Sequence, residues 1–414
     1  MKLKLPEDEI SRAQFLEARE LAQRIEAKGF PTFIVGGAVR DCLLGIPSPD
    51  VDICTACPAD ILERIIPEAI PWGPKRYSIY RVTRNLGNIE IARFREETEC
   101  DGRHCEVRLT NSFDRDVIRR DFTINALAVS PESMEIIDLV GGVADLSSKV
   151  IRTIGDPLRR YNEDKLRMLR AVRFSTRLIF SLSPDDFQAI SHLSPQIRML
   201  SPDRIRHEID GILSSKRPGT GLQMLAKLGL WQIILCNTIE ENNNPLWPQR
   251  FSSMDRAASI NLELPSIWAI ALAPLDLDDF NLSNIIFKRI TIFNFSNSYK
   301  SIIEGILNCL KMAHFFETLS KADSVALADS KYLATVREIH RIIAPDSDFE
   351  TQLARRFPRL YSIPFLSGPI LGEYLSKYNS HNIPFIITEL RYAELSGHVS
   401  SREEAILFLE NLIL

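Results

Sequence analysis

The chain has 414 residues, 45% of them hydrophobic and 25% charged, with a net charge of −4 at neutral pH. That length fits about two to four domains and buries a core large enough to need no disulfide or metal staple. The composition excludes collagen, coiled coil and wholesale disorder, no run of ~20 apolar residues offers a membrane span, and an overall negative chain meets nucleic acid only through a local basic patch.

The N-terminus lacks an apolar stretch for a signal peptide, and seven cysteines at irregular spacing suit a reducing, cytoplasmic compartment. Residues 7–29 carry Ile10, Phe15, Ala18, Leu21, Ala22 and Ile25 at helical spacing, ended by Gly29. Phe30–Val35 reads as a short buried strand, stopped by Gly36-Gly37. Ala38–Leu44 reads as a short helix, residues 51–54 as a second strand, and Pro58-Ala59-Asp60 opens a helix reaching Ile66. Ile79–Thr83 and Ile89–Phe94 alternate as strands around a turn at Asn85–Asn88. Ile124–Val129 and Glu135–Asp138 read as strands or short buried segments. After Asp145 helical spacing takes over. Between Lys149 and Arg177 nine lysines and arginines face three acids, a local excess of six positive charges. Linkers are expected near 145, near 215 and at 240–250.

Four stretches carry chemistry. In Val35-Gly36-Gly37-Ala38-Val39-Arg40-Asp41, glycines between strand and helix let backbone N–H groups approach a phosphate. Arg40 is placed to pair with its oxygens; a tight turn without ligand is the competing reading. In Pro49-Asp50-Val51-Asp52-Ile53, alternate strand residues face one side, so Asp50 and Asp52 project together. Carboxylates that close repel, and a divalent cation relieves them; oxygen-only ligands favour Mg2+. Glu90, between Ile89 and Ile91, is the candidate third carboxylate. In the stretch Ile118–Leu127, Arg119 and Arg120 can grip phosphate bidentately, while Asp121 and Asn125 suit a ribose hydroxyl. Read as a helix, Asn162–Phe174 puts Asp164 and Arg167 on one face, with Arg170 and Arg173 continuing the row. An acid beside an arginine can read a base edge; an intrahelical salt bridge is the competing reading.

In this order, Gly-Gly-x-x-Arg-Asp, Asp-x-Asp, Arg-Arg-Asp-Phe-Thr-Ile-Asn-Ala and Glu-Asp-x-x-Arg-x-x-Arg-Ala-x-Arg-Phe resemble the class II tRNA nucleotidyltransferase and bacterial poly(A) polymerase family. Asp138–Gly142, Gly155–Tyr161 and Ser201–Ile209 are similar to its linking motifs. The resemblance implies an α+β fold: a polymerase-β-like nucleotidyltransferase head (1–145), then an all-helical neck with the nucleotide-selecting helix (146–215), body (216–330) and tRNA-contacting tail (331–414). It implies a cytoplasmic enzyme that moves CMP and AMP from CTP and ATP onto the 3′ end of the tRNA acceptor stem. Mg2+ would be the cofactor, with no template, membrane or obligate protein partner. Asp50 and Asp52 would hold the metal, with Glu90 as a further catalytic carboxylate. Gly36, Gly37 and Arg40 would take the triphosphate. Arg119, Arg120, Asp121 and Asn125 would hold phosphate and sugar. Asp164 and Arg167 would choose CTP or ATP, supported by Arg170 and Arg173.

Two regions depart from the pattern. Pro71–Ile79 stands where the family has a strand start containing Phe-Gly-Thr, and residues 245–414 match loosely, without a His-Asp phosphohydrolase signature. A poly(A) polymerase, a CC-only enzyme or an A-only enzyme would share the four motifs. The loop Arg95–Asn111 is long enough to serve a switch to A addition. The Asp50/Asp52 pair argues against a catalytically dead RNA binder, and the basic neck and long helical tail argue against a small-molecule nucleotidyltransferase. Arg173, Arg177 and Lys216-Arg217 are candidates for touching the acceptor stem. Cys54-x-x-Cys57 lacks the second pair a zinc site needs, His104-Cys105 reads as polar loop, and Ile285–Phe295 and Phe315-Phe316 read as core.

Overall fold

Asp8 starts the first helix: its carboxylate accepts the backbone N–H of Ser11 at 2.8 Å, satisfying a donor the helix leaves free. Helix α1 (Glu9–Glu26) buries Phe15, Ala18, Leu21, Ala22 and Ile25 along one side, while Ile10 in its first turn stays 56% exposed. The computed structural model describes residues 1–48, 50–84, 87–100, 105–235, 244–278, 283–366, 368–376 and 383–413. These fall into two units, Met1–Ile212 with Met224–Asn237, and Leu213–Gln223 with Thr238–Leu414.

The strands of the first unit are β1 (Thr32–Val35), β2 (Val51–Thr55), β3 (Ile70–Pro71), β4 (Ile79–Arg84), β5 (Gly87–Arg93), β6 (Arg95–Cys100), β7 (Cys105–Leu109), β8 (Ala128–Val129) and β9 (Ile136–Ile137), with a separate short pair, β10 (Val150–Ile151) and β11 (Ser181–Leu182). One mixed sheet runs in the order β3-β4-β5-β2-β1-β8-β9. Only the β2–β5 pair in it is parallel, which brings Asp52 beside Glu90; across the next, antiparallel pair Glu90 faces Arg81. Helices α2 (Gly37–Leu43), α3 (Ala59–Ile65), α4 (Phe113–Ile118), α5 (Gly142–Ser148), α6 (Pro157–Glu163), α7 (Leu166–Leu178), α8 (Pro184–Leu193) and α9 (Pro202–Leu213) follow in the chain. The architecture is α+β, a sheet-built N-terminal part and a helical remainder.

Two local expectations change, and one resolves. The stretch Ile124–Val129 is a buried segment, part turn and part strand: Thr123–Asn125 turns as a 3-10 helix before β8, with the Asn125 side chain drawn between Arg40 and Asp121. The loop Arg95–Asn111 is an antiparallel hairpin of β6 and β7; its residues 101–104, with His104, lie outside the described residues. The helix expected over Asn162–Phe174 breaks at Asp164, whose backbone is extended (φ −146, ψ 108). The turn residues 85–86 and the linker residues 240–243 also lie outside the described set.

Ser78 marks the departing stretch. It sits at φ 46, the left-handed region that a side chain makes strained, and its hydroxyl is buried without a partner. Ser78→Gly is expected to raise stability by roughly 0.5–1 kcal/mol, the relief of left-handed strain less the freedom glycine adds to the unfolded chain. A urea melt checks it.

In the second unit, Trp268 on the helix Leu264–Leu272 packs against Phe293 at 4.5 Å and Phe295 at 5.1 Å, and Phe316 is 1% exposed. His340 is buried too, with Nε2 unpartnered. Burial first, then His314, pushes its imidazole down to about 4, against the opposing Glu350. An unfolded imidazole takes its proton near ~6.5, so in the window between that value and 4 the unfolded chain holds more protons and stability drains away as pH falls. The urea midpoint is expected to drop through this window, and His340→Phe to flatten the drop.

Candidate active site

The expected site residues gather on a cleft of about 480 Å³ in the first unit, lined by Gly36, Gly37, Asp52 and Glu90 from the sheet and the turn after β1, and by Asp164, Arg167, Arg170 and Arg173 from α7 and the residues before it. β1 ends at Val35 and the chain turns at Gly36 (φ 77) into α2. A Cβ at Gly36 would lie 3.5 Å from the Arg120 guanidinium and 3.9 Å from the Asp52 carboxylate. Those are ordinary contacts, so it is the positive φ of the turn that calls for glycine here.

β2 is buried except at Asp52, which opens onto the cleft. Its carboxyl is pushed up to about 6, first by desolvation and then by Glu90, with Arg120 pulling the other way and Asp50 adding a smaller push. Repulsion between neighbouring carboxylates is thus built into the strand pairing. Asp50 lies just before β2, exposed, and is not among the cleft-lining residues. Glu90 accepts a hydrogen bond from Arg81 at 2.7 Å.

The arginines are held by acids. Asp116 on α4 is fully buried; it accepts Arg119 Nη2 at 2.7 Å and Arg120 Nη2 at 2.9 Å, and the backbone N–H of Arg95 at 3.0 Å. Against burial, Arg120 and Arg119 hold its carboxyl below the ordinary value. Asp121 accepts Arg170 at 2.5 and 2.9 Å, Asn125 Nδ2 at 3.0 Å and the Phe122 N–H at 2.8 Å. Burial opposes the shift, yet Arg170 foremost brings it down to about 2. Arg40 is 2% exposed and donates to Asp41 at 2.7 Å and to the Asn125 carboxamide oxygen. Arg177 donates to the other oxygen of Asp41 at 3.1 Å, and Arg173 to Glu208 at 2.6 Å. The Phe174 ring lies beneath three of these guanidiniums, Arg40, Arg170 and Arg173, at 4.6–5.4 Å, a distance at which the ring face attracts cations.

Asp164 and Arg167 do reach the same cleft, though not along one helix face. Asp164, between α6 and α7, accepts the Leu166 N–H at 3.1 Å and also accepts Arg204 at 3.2 Å. Arg167 donates to Glu97 on β6 at 3.1 Å and to Glu163 at 3.3 Å. The intrahelical ion pair between Asp164 and Arg167 does not form; each has its own partner.

Every expected site residue except Asp50 lines the cleft. The sequence reading missed the counter-acids Asp116, Glu97 and Glu208. Asp116 stands three and four residues before Arg119 and Arg120, a helical ion-pair spacing that was legible; Glu97 and Glu208 come from distant strand and helix and left no local signal. Cys54 is buried with its thiol pushed far up by desolvation, and Cys57 rises to about 11. Among the described residues no group of three His, Cys, Asp or Glu side chains is gathered around a metal position.

A mixed sheet presenting neighbouring carboxylates toward a helical wall of paired arginines is the architecture of a nucleotidyltransferase. Residues 32–152 match the family described as "Poly A polymerase head domain", and residues 179–240 the one described as "Probable RNA and SrmB- binding site of polymerase A". The chain is 38% identical to a CCA-adding enzyme of Levilactobacillus brevis over 221 residues, 53% of this chain and 55% of that enzyme. It is 28% identical to the CCA-adding enzyme of Anoxybacillus flavithermus over 95% of this chain and 93% of that one. The crystal structure of the Bacillus stearothermophilus CCA-adding enzyme in complex with CTP superposes with a TM-score of 0.72 at 25% identity, covering 96% of this chain and 98% of that one. Residues 32–152 therefore belong to the poly(A) polymerase head-domain family, and the chain is similar to CCA-adding enzymes over nearly its whole length.

Removing a buried acid strands the arginines it holds. Asp116→Ala is expected to lower stability by roughly 3 kcal/mol, the loss typical of breaking a buried pair, and to weaken nucleotide binding as Arg119 and Arg120 lose their position. Urea unfolding and calorimetric titration with CTP read the two effects.

Proposed function

We propose that this chain transfers CMP and AMP from CTP and ATP to the 3′ end of tRNA, without a nucleic-acid template and with Mg2+ as its metal. The observation that carries the reading is one cleft lined both by the carboxylate pair Asp52–Glu90, side by side on neighbouring strands, and by Asp164 with Arg167. The first suits phosphoryl transfer; the second suits reading a base. The relatives compared above are CCA-adding enzymes, and one was solved with CTP.

Asp52 and Glu90, with Asp50 on the approach to β2, would hold the cation. The donors are all oxygen, and the upward push that Glu90 exerts on Asp52 is what a hard divalent ion relieves. Such an ion supplies positive charge at the reacting phosphate and acidifies a bound hydroxyl. The chain's own groups position the reactants. Arg119 and Arg120, fixed by Asp116, present guanidinium edges to phosphate oxygens. Arg40 and Asn125 act one layer behind, locking Asp121 and hence Arg170. Cytosine and adenine each offer an amino donor beside a ring-nitrogen acceptor; uracil and guanine offer the reverse. Asp164 accepts and Arg167 donates, so the pair fits the first two bases and opposes the others. The 3′ oxygen of the RNA then attacks the α-phosphorus, and pyrophosphate leaves.

The four-part division, head 1–145, neck 146–215, body 216–330 and tail 331–414, is proposed with this function, the tail gripping tRNA. A tRNA substrate and free thiols suit the cytoplasm.

The test is incubation with tRNA transcripts lacking A, CA or CCA and each nucleotide singly. CMP is expected on the first two positions, AMP on the third, and neither UMP nor GMP. Repeated AMP on unstructured RNA would instead make it a poly(A) polymerase, and CMP alone a CC-only enzyme. Asp52→Ala is expected to abolish incorporation while tRNA still binds. Asp164→Ala and Arg167→Ala are expected to erode discrimination about 5- to 100-fold, the scale of one bidentate contact. An equal fall with all four nucleotides would make the pair structural.

A further inference from the structure

The stretch Pro71–Ile79, which departs from the family pattern, lies along the edge of the same sheet that carries the carboxylates. Strand register sets Asp52 beside Glu90, Glu90 opposite Arg81, and Arg81 opposite Ile70. Register partners project to one face, so a row of side chains runs outward from Asp52 along that face. Arg81 donates to Glu90 at 2.7 Å, and its guanidinium lies 3.4 Å from the centre of the Trp72 ring. Trp72 is 49% exposed and Ile70 64%. A second pairing of the same kind follows six residues into the stretch, where Arg76 and Arg95 flank the Tyr77 ring at 4.8 and 5.3 Å; Arg95 itself lines the cleft.

Aromatic rings interleaved with guanidiniums are how proteins hold unpaired nucleotides: the ring stacks on a base and the cation meets the backbone. The dimensions agree. Strands stand ~4.8 Å apart, so the row from Asp52 to Arg81 covers ~10 Å, about three stacked nucleotides at ~3.4 Å each. Arg81 lies outside Glu90 in this row, so an RNA strand meets a guanidinium before it meets the carboxylate.

We propose that Trp72, held by Arg81, is a stacking platform for an unpaired base of the RNA 3′ end, two or three nucleotides before the hydroxyl that is extended at Asp52. The proposal rests on the reading of the cleft as a nucleotidyltransferase site acting on RNA. It assigns a role to residues that neither hold the triphosphate nor read the incoming base.

The experiment uses the full chain with Trp72→Ala and Trp72→Phe. For a tRNA lacking CCA, Trp72→Ala is expected to raise the KM about ten-fold, the scale of one lost base stack, with kcat and the KM for CTP unchanged; Trp72→Phe, which keeps a ring, should recover most of it. Trp231, Trp247 and Trp268 are buried, so a short single-stranded CC-ending oligonucleotide should quench wild-type tryptophan fluorescence and leave Trp72→Phe unaffected. An unchanged KM for tRNA with no Trp72-dependent quenching would overturn the platform. So would an equal rise in the KM for CTP, or loss of a protein dimer at constant tRNA affinity. Should wild-type protein add nothing to tRNA while the oligonucleotide still quenches through Trp72, the platform stands and the reading of the activity fails.

Discussion

Eight arginines line one cleft, and so many positive charges stay together only because buried acids divide them. Asp116 takes Arg119 and Arg120, Asp121 takes Arg170, Asp41 takes Arg40 and Arg177, and Glu208 takes Arg173. Each carboxylate is buried at a cost that only its arginines offset. The result is a set of guanidiniums already desolvated and oriented before any nucleotide arrives, which is what strong, specific contact with phosphate requires.

The same pairing ties the elements together. Asp121 sits after α4 and Arg170 on α7; Asp41 is on α2 and Arg177 at the end of α7. Arg160 on α6 donates to the carbonyls of Arg119 and Arg120 at 2.7 Å. The sheet that carries Asp52 and the helix that carries Arg167 are therefore held at a fixed separation by ion pairs rather than by apolar packing alone. The parallel β2–β5 pair places Asp52 and Glu90 side by side, and the glycine at 36 permits the left-handed turn that leads from β1 into α2 beside them. The carboxylates proposed for phosphate chemistry and the pair proposed for base recognition thus share one ion-paired frame.

Much of this was legible in the residues. The periodicity of α1, the alternation in β4 and β5, the glycine pair and the Asp-x-Asp strand depend on local spacing, and local spacing survives folding. So did the collection of Arg119, Arg120, Asp121, Asn125, Asp164 and Arg167 in one place. What spacing could not convey was the direction of each side chain's bond. Asp164 and Arg167 look like an i, i+3 ion pair, yet Asp164 leaves the helix and the two turn to Arg204 and Glu97. Arg40 looks like a phosphate ligand, yet it is buried against Asp41 and Asn125. Ser78 occupies a left-handed position despite its side chain. In each case a partner distant in sequence, or a backbone shape imposed by the sheet, outweighed the local rule.

The central claim is that protein side chains alone choose the nucleotide. Equilibrium binding of CTP, ATP, UTP and GTP to the Mg2+-loaded protein, with no RNA present, tests it most directly. Tighter binding of CTP and ATP than of UTP and GTP is the predicted result, because Asp164 and Arg167 would be presenting their hydrogen-bonding groups without help. Equal affinity for all four would contradict the account and move the choice of nucleotide to the RNA.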